Sequence, residues 1–371
     1  MPLGVEPLTA GINPRKSRRA ATLADVGREA GVSAMAASAV LNGAKTSTRI
    51  SDDTRLRVLA AAETLRYRPN ATARGLAHRR MHTLGVVATL AGDEPNQYFL
   101  GVFSGVIQAA AAGGQTTTVF TLGDWDEAAR RIPVFCDGRV DGLILLAPLL
   151  GPDAAQWLPE HTPVVAVHAN DTIAGVVNLE SDEEAGAFQM VSHMLAMGHR
   201  RILHMGGPAQ ALGAERRVRG YLRAHAAAGV PPAPGHVLRG AYSAEGGRDG
   251  LEAWLQNHHG TPLPDAVFCA SDAIALGCID RLLAHGLRVP ADISVVGFDD
   301  TVLARAARMT TVRQPLRQLG VQAVEVLLAR IDARARDMAY SGPGNVVLPT
   351  EIVLSATLAA PRALPLTVGG H

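Results

Sequence analysis

Short apolar runs alternate with helical stretches from residue 83 onward, and this alternation restricts the fold more than any other feature. The apolar runs lie at 84–89, 116–122, 142–147, 164–167, 202–205, 266–270 and 293–296. Helical spacing is found between them at 100–112, 185–197, 216–228 and 274–284. Runs that are apolar throughout and separated by helices predict parallel sheets covered by helices. The region 82–358 is too long for one open sheet, so we expect two α/β lobes with a ligand at the carboxyl ends of the strands.

The region before this alternation predicts a small all-α head, with three helices in residues 21–67. Thr22 caps the first helix, Gly31 ends it, Ser33 caps the second and Ser51 the third. Two helices joined by a glycine turn and braced by a third are typical of a helix-turn-helix. The predicted core is Leu23, Val26, Ala30, Val32, Val40 and Leu41. Apolar residues at helical spacing mark the third helix: Leu56, Leu59, Ala60 and Leu65.

Charge is concentrated near the amino terminus. Residues 15–80 hold 14 Lys/Arg and 5 Asp/Glu, whereas the rest of the 371 residues hold 21 and 29. A basic head on an acidic body favours nucleic-acid binding by the head, and a solvated basic tail is the alternative. We expect a disordered tail at 1–20, a hinge helix or linker at 68–81 that folds only when pinned, and a flexible tail at 359–371.

Several function classes are disfavoured by composition. Cys136, Cys269 and Cys278 lie in apolar runs without a paired spacing, which predicts buried, reduced thiols rather than a disulfide or zinc site. Lys16 and Lys45 are the only lysines, so the large domain has no phosphate-loop or Schiff-base lysine. We recognise no signal peptide, membrane span, metal site or catalytic triad. These observations predict a cytoplasmic protein that is not an enzyme and has no cofactor.

An ordered series of motifs resembles the LacI/GalR family of bacterial transcription regulators over roughly residues 21–358. In the head the motifs are TLADV at 22–26, AGVS at 30–33, VLNG at 40–43, TRLRVL at 54–59 and YRPN at 67–70. In the body they are RVDGLI at 139–144, LAMGHRRI at 195–202, VPADISVVGFDD at 289–300 and TTVRQP at 310–315. The resemblance implies a helix-turn-helix head on a two-lobed body like that of periplasmic binding proteins, with the chain crossing between the lobes near 180, 310 and 345.

The resemblance also implies which residues contact DNA. The second helix would enter the major groove, but Ala36 and Ala39 stand where the family often has threonine and arginine. Alanine and methionine cannot read guanine bidentately, so we expect a larger share from DNA shape and phosphates. The alternative is that this helix packs on a protein partner. The predicted contacts are Thr22, Ser33, Ala34, Met35, Ala36, Ser38, Asn42, Lys45, Arg49, Tyr67, Asn70, Ala73, Arg74 and Leu76.

Leu76 is the residue on which the DNA hypothesis depends most. In proteins of this family, paired hinge helices lie in the minor groove and a leucine at this place opens a base step. The alternative is an ordinary linker leucine.

The body has a second set of candidates, which by the resemblance would bind a small molecule. Arg217 would hold hydroxyls or a carboxylate as a bidentate fork, and Asp299 would accept hydrogen bonds from hydroxyls. Structural alternatives are that Asp299 caps a helix and that Arg217 pairs with Glu215 or Asp272. The predicted effector-binding residues are Tyr98, Phe99, Asp182, Arg217, Tyr242, Ser271 and Asp299.

These features predict a dimeric DNA-binding regulator, most simply a repressor, that binds double-stranded DNA at a near-palindromic operator. Aromatic residues beside an acid and an arginine favour a sugar or sugar derivative as effector. Closure of the lobes around it would change how the hinge is held. The tail after residue 358 lacks heptads, which favours a homodimer over a tetramer. The alternatives are a solute-binding protein without a DNA role and a sugar-modifying enzyme.

Overall fold

A computed structural model of the chain describes residues 20–42, 50–68, 75, 80–89 and 97–367. The chain divides into two compact units, Met1–Met81 and His82–His371, each with its own hydrophobic core. Along the described part of the chain, no helix combines the length and hydropathy needed to cross a membrane. The predicted amino-terminal tail, apart from Ala20, and most of the predicted hinge lie outside the described residues.

The first unit contains three helices, α1 (Leu23–Ala30), α2 (Ala34–Asn42) and α3 (Asp52–Thr64). At the start of α1, Thr22 Oγ1 accepts from the Asp25 N–H at 3.3 Å and the Asp25 carboxylate accepts from the Thr22 N–H at 2.9 Å. Gly31 ends α1 with φ +68°, a conformation that glycine adopts without steric cost. Ser33 and Ser51 cap α2 and α3 through their hydroxyls. The predicted helix-turn-helix is confirmed.

The core of this unit uses a different face of α3 from the one its leucines mark. The fully buried core residues are Val26, Ala30, Ala37, Val58, Ala61 and Ala62. Leu56 and Leu59 are 67% and 47% exposed, and Ala60 is exposed as well. Val58, Ala61 and Ala62 recur at three- and four-residue spacing on one side of α3, and Leu65 continues that side. The small residues bring the helices close together, so the leucines are left at the surface.

The first sheet of the second unit has six parallel strands in the order β11-β5-β4-β3-β1-β2. The strands are β1 (Thr83–Thr89), β2 (Thr116–Leu122), β3 (Gly142–Leu146), β4 (Val164–Val167), β5 (Val177–Ser181) and β11 (Asn345–Leu348). One face packs on α4 (Gln97–Ala112) and α11 (Leu316–Ala335), and the other on α5 (Ala128–Phe135). Two short 3₁₀ helices, Trp125–Glu127 and Pro152–Gln156, lie on the α5 side.

The second sheet also has six strands, in the order β12-β10-β9-β8-β6-β7. The strands are β6 (Ile202–Gly206), β7 (Val237–Arg239), β8 (Ala266–Cys269), β9 (Ser294–Asp299), β10 (Thr310–Arg313) and β12 (Glu351–Val353). All of its pairs are parallel except β10 with β12. Its helices are α6 (Glu183–Ala196), α7 (Leu212–Ala227), α8 (Ala244–Asn257), α9 (Asp272–Ala284) and α10 (Val302–Ala306). Core clusters on opposite faces contain α6 with α7 and α8 with α9, so the predicted two-lobed α/β architecture is confirmed.

The chain passes between the two sheets three times. It leaves the first sheet after β5 and enters α6, returns from β10 into α11, and passes from β11 to β12. The return is anchored where α11 touches α4: a Cβ on Gly105 would lie 2.0 Å from the Arg317 carbonyl oxygen, and one on Gly320 2.1 Å from that of Val102. Glycine is therefore required at this contact.

The carboxyl-terminal segment corrects one prediction, because residues 359–367 are held against the second lobe rather than forming a flexible tail. The Ala359 carbonyl contacts His199 Nε2 at 2.9 Å, and Arg362 pairs with Asp292. The Leu366 carbonyl accepts from the Leu263 N–H, in the loop before β8, at 2.7 Å. Backbone hydrogen bonds of this kind do not depend on side-chain periodicity, so the sequence does not reveal them. Residues 368–371 lie outside the described range.

Candidate functional site

The carboxyl ends of the strands in the second unit carry unusual backbone conformations. Ala147 follows β3 with φ +48°, His168 follows β4 with φ +53°, and Asp299 ends β9 with φ +123°. A positive φ in a residue other than glycine costs about 1–3 kcal/mol and is found preferentially at functional sites. Both sheets contribute to this group, so it marks a candidate cleft between the lobes.

Arg217 lies on α7, contacts residues at the ends of the second sheet, and is only 5% exposed. Its guanidinium donates to Glu183 Oε1 at 2.6 Å and to the Ala270 carbonyl, and it lies 4.2 Å from the centroid of the Phe298 ring. Burial opposes the charged form, but Tyr242, Glu183 and Asp299 nearby raise the pKa of Arg217 above its usual value. A permanently charged guanidinium is therefore fixed in the cleft, and its partner is neither Glu215 nor Asp272.

Glu183 is a residue of this site that the sequence analysis missed, as are His168 and Gln314. It opens α6, is 3% exposed, and lies one position after the predicted Asp182. Burial opposes ionisation, but Arg217, His168 and Arg216 hold the pKa of the Glu183 carboxyl below its usual value. A Cβ on Gly213 would lie 2.6 Å from Glu183 Oε1, so a larger residue there would require the carboxylate to shift. Its other oxygen, Oε2, is buried without a hydrogen-bond partner.

Asp299 extends into the same cleft from the end of β9. Its Oδ1 accepts from Gln314 Nε2 at 2.6 Å. Burial raises the pKa of Asp299 to about 8, against the opposing effect of Arg217. It does not cap the helix that follows, because Thr301 does so through its hydroxyl at 3.2 Å. This carboxyl is therefore available to a ligand either as an acceptor or, when protonated, as a donor.

A chain of side-chain contacts connects the predicted Tyr98 to Gln314. The Tyr98 hydroxyl lies 2.7 Å from His168 Nδ1, and His168 Nε2 accepts from the Ser181 N–H at 3.0 Å. This acceptance places the proton on Nδ1, so His168 donates to Tyr98 and leaves the tyrosine hydroxyl proton for another acceptor. The Ser181 hydroxyl donates to Gln314 Oε1. Burial lowers the pKa of His168, consistent with a neutral ring, and raises that of Tyr98 well above its usual value.

The remaining predicted effector residues differ in where they lie. Tyr242 is in the cleft, with its hydroxyl 3.5 Å from Arg217 Nη1, and burial raises its pKa to about 12. Ser271 is buried and caps α9. Asp182 is exposed and caps α6 by accepting from a backbone N–H at 3.0 Å, so it lies outside the group. Phe99 stacks on a neighbouring phenylalanine at 5.2 Å and packs against the first core.

On the first unit, the predicted DNA-contact surface is formed mainly by α2. Met35 is 76% exposed and Ala34 is exposed, whereas Ala36 and Ser38 are half-buried. The Ser38 hydroxyl accepts from Asn42 Nδ2 at 3.1 Å, so both side chains are held on one face of the helix. This surface carries few groups that could form paired hydrogen bonds with bases.

Three further predicted DNA contacts have structural roles of their own. The Thr22 hydroxyl donates to Asp25 at 2.7 Å, Ser33 caps α2, and Tyr67 packs against the core of the first unit. The other predicted contacts lie outside the described residues: Lys45, Arg49, Asn70, Ala73, Arg74 and Leu76.

Metal and thiol chemistry are not indicated where the structure describes the chain. Within those ranges no group of three His, Cys, Asp or Glu side chains is placed to hold a metal ion. All three cysteines are buried and outside disulfides, and the Sγ atoms of Cys269 and Cys278 are 3.9 Å apart.

Two family models match the chain, one in each unit. Residues 22–70 match the model described as bacterial regulatory proteins, lacI family. Residues 191–354 match the model of a periplasmic binding protein-like domain.

Individual proteins match over most of their length. The HTH-type transcriptional repressor PurR of Aliivibrio fischeri (strain MJ11) is 32% identical over 317 residues, which are 84% of this chain and 92% of that protein. The ribose operon repressor of Haemophilus influenzae is 31% identical over 84% of this chain and 92% of its own. The solved structure of the lac repressor dimer bound to operator and the anti-inducer ONPF is 28% identical, covers 91% of this chain and 99% of its own, and superposes with a TM-score of 0.77.

Proposed function

The chain belongs to the lacI family of bacterial regulatory proteins, and we propose that its effector is a small hydroxyl-rich molecule, a sugar or sugar derivative, bound in the cleft around Arg217. It is a DNA-binding transcriptional regulator controlled by a small-molecule effector. The regulatory role follows from the family relationship. The proposal about the ligand is supported by the side chains that line the cleft.

The cleft offers a hydroxyl-rich ligand both donors and acceptors. Arg217 is a fixed donor, Asp299 is an acceptor or donor, and Tyr98 and Tyr242 supply hydroxyls on aromatic faces. Sugars present hydroxyl groups at their edge and C–H groups on their face, which suit such a mixture of polar and aromatic side chains. Glu183 belongs to the proposed site, and Asp182 is no longer part of it.

We further propose that the chain acts as a homodimer on a near-palindromic operator, in the cytoplasm and without catalysis. The lac repressor that it resembles was solved as a dimer on operator DNA, and two-fold symmetry in the protein matches two-fold symmetry in the site. Because α2 has few base-reading groups, we infer that hinge and phosphate contacts supply much of the affinity.

Binding to duplex DNA at increasing salt tests this proposal against the solute-binding alternative. Operator sequences would first be selected from a random duplex pool with the full-length protein. For about six to ten phosphate contacts, affinity should fall by about 10³–10⁵-fold between 50 and 200 mM salt. A chain that selects no sequence and shows no salt-dependent DNA binding is not the proposed regulator.

A screen of sugars by thermal shift, followed by operator release, tests the effector site. Arg217→Ala should abolish the response to any sugar that acts on the native chain. Arg219→Ala is the matched control, because Arg219 is on the same helix and pairs with Glu184 at the surface. An unchanged response in Arg217→Ala would place the effector elsewhere.

A further inference from the structure

The two arginines nearest the cleft already have acidic partners. Arg217 Nη2 donates to Glu183 Oε1 at 2.6 Å, and Arg216 Nη1 donates to Glu180 Oε2 at 2.8 Å. Arg216 also lies 3.7 Å from Glu183 Oε2. An arginine that faces a cleft without a partner attracts phosphate or carboxylate, but these two are neutralised by acids of the same chain.

The cleft also holds one buried acceptor and one buried donor that lack hydrogen-bond partners, Glu183 Oε2 and Arg217 Nε. Glu183 Oε2 is buried and accepts no hydrogen bond, and Asp299 is matched by the Gln314 amide rather than by a cation. Besides burial, the charges of Glu183 and Asp299 raise the pKa values of both Tyr98 and Tyr242. Buried acceptors without partners favour a ligand that brings O–H or N–H groups.

From this arrangement we propose that Glu183 is a specificity-determining residue, which makes the cleft reject anions and accept uncharged or cationic ligands rich in hydroxyl or amino groups. The inference rests on the proposed effector site and narrows its ligand class. A sugar phosphate or sugar acid would have to displace the Glu183 carboxylate from Arg217 or lie against it. Displacement is opposed because it would break the buried 2.6 Å ion pair between Glu183 and Arg217 and leave a charge buried without its partner.

Inorganic phosphate is the probe for this proposal, measured by titration calorimetry of the full-length protein at constant ionic strength. The native chain should show no saturable phosphate binding that depends on Arg217. Glu183→Gln keeps an oxygen near Arg217 but removes the charge, and should bind phosphate saturably, at least about tenfold more tightly than the detection limit of the native titration, a gain of at least about 1.4 kcal/mol. Adding Arg217→Gln to this variant should remove the gain.

Glu184→Gln is the matched control, because its neighbouring carboxylate pairs with Arg219 and Arg223 at the surface. It should leave phosphate binding unchanged. Phosphate that binds to the basic head should bind equally well to Arg217→Gln. This variant therefore separates phosphate binding by the head from phosphate binding in the cleft.

Two results would overturn the proposal: phosphate binding by the native chain that Arg217→Gln abolishes, or no gain in Glu183→Gln. If Glu183→Gln does not fold, phosphate binding is compared between the native chain and Arg217→Gln. Equal binding by the two supports the proposal, and weaker binding by Arg217→Gln refutes it. This assay contains no DNA, so its failure is distinct from failure of the operator-binding experiment.

Discussion

Glu183 Oε1 lies 2.6 Å from Arg217 Nη2, and both side chains are more than nine-tenths buried. The two residues come from the amino-terminal halves of neighbouring helices, α6 and α7. A buried ion pair adds little stability relative to a well-packed apolar pair, but it is costly to break because one charge remains buried alone. The ion pair between Glu183 and Arg217 therefore affects both the stability of the second lobe and the charge presented in the cleft.

Replacing one member of this pair should destabilise the second unit more than replacing both. Arg217→Met leaves the Glu183 carboxylate buried, and the free energy of unfolding should fall by about 3–5 kcal/mol. The double variant with Glu183→Leu should recover most of that loss. Urea unfolding at pH 7 measures the free energy of unfolding of the double variant and of each single variant, Arg217→Met and Glu183→Leu. If the loss in the double variant equals the sum of the two single losses, the pairing is contradicted. Arg219→Met breaks an exposed pair and should cost no more than about 1 kcal/mol.

Leu76→Ala should weaken operator binding by at least about tenfold and leave effector binding unchanged. Leu76 lies outside the described residues, so this prediction follows from the sequence alone. Its physical reason is that a leucine inserted at a base step holds the DNA bent, and alanine is too short to do so. Gel-shift titration gives the operator affinity, and calorimetry with the effector gives the control. Unchanged operator affinity would contradict the prediction and favour the alternative that Leu76 is an ordinary linker residue.

Stability should decrease below pH 6.5 because of buried His204. Its ring is stacked between Tyr221 and Phe268, and burial lowers its pKa to about 4. Between pH 6.5 and 4 the unfolded chain binds a proton that the folded chain does not. The stabilisation that arises from this pKa difference is therefore fully present above pH 6.5. About 3 kcal/mol of the free energy of unfolding is lost as the pH falls from 6.5 to 4.

The variant His204→Phe tests this assignment. It keeps an aromatic ring in the stack but cannot bind a proton, so the dependence of the free energy of unfolding on pH should become shallower. Urea unfolding at pH 4.5, 5.5 and 7 supplies the slopes. Equal slopes for the variant and the native chain would assign the acid sensitivity to other histidines, of which His199, His225 and His236 also have pKa values lowered by burial.

Truncation after residue 358 should lower the melting temperature of the second unit, whereas truncation after residue 367 should not. The longer deletion removes the Ala359 carbonyl bound to His199 and the pairing of Arg362 with the buried Asp292. Differential scanning fluorimetry compares the two. Equal melting temperatures would show that the carboxyl-terminal segment contributes nothing to stability.

The sequence predicted the parts of the fold that rest on local chemistry. All seven apolar runs are strands. Six of them are buried along most of their length, which leaves a direct mark in composition, and the seventh, β2, is a partly exposed edge strand. Five strands in the described part of the chain were missed. Strands β7, β11 and β12 are partly exposed strands at sheet edges, whereas β5 and β10 are largely buried but carry polar residues among the apolar ones. Helix α11 was missed although it is 20 residues long, because it is covered by one sheet on a broad face and has no marked polar side.

The structure brings together several of the predicted effector residues, and it adds one acid that differs from a predicted residue by a single position. Arg217, Asp299, Tyr98 and Tyr242 meet in the cleft. At the start of α6, two adjacent acids divide two tasks: Asp182 caps the helix and Glu183 enters the cleft. Either acid can satisfy a helix start, so only the path of the chain after β5 decides which one faces Arg217.

The three crossings between the sheets mean that neither lobe is a contiguous stretch of the gene. The first lobe combines the residues before α6 with those from α11 to β11, and the second is encoded between and after them. A single recombination or a single proteolytic cut therefore cannot exchange or release one wall of the cleft. Substitutions that alter ligand specificity can therefore fall in separate parts of the sequence, as Tyr98, Glu183, Arg217 and Asp299 already do.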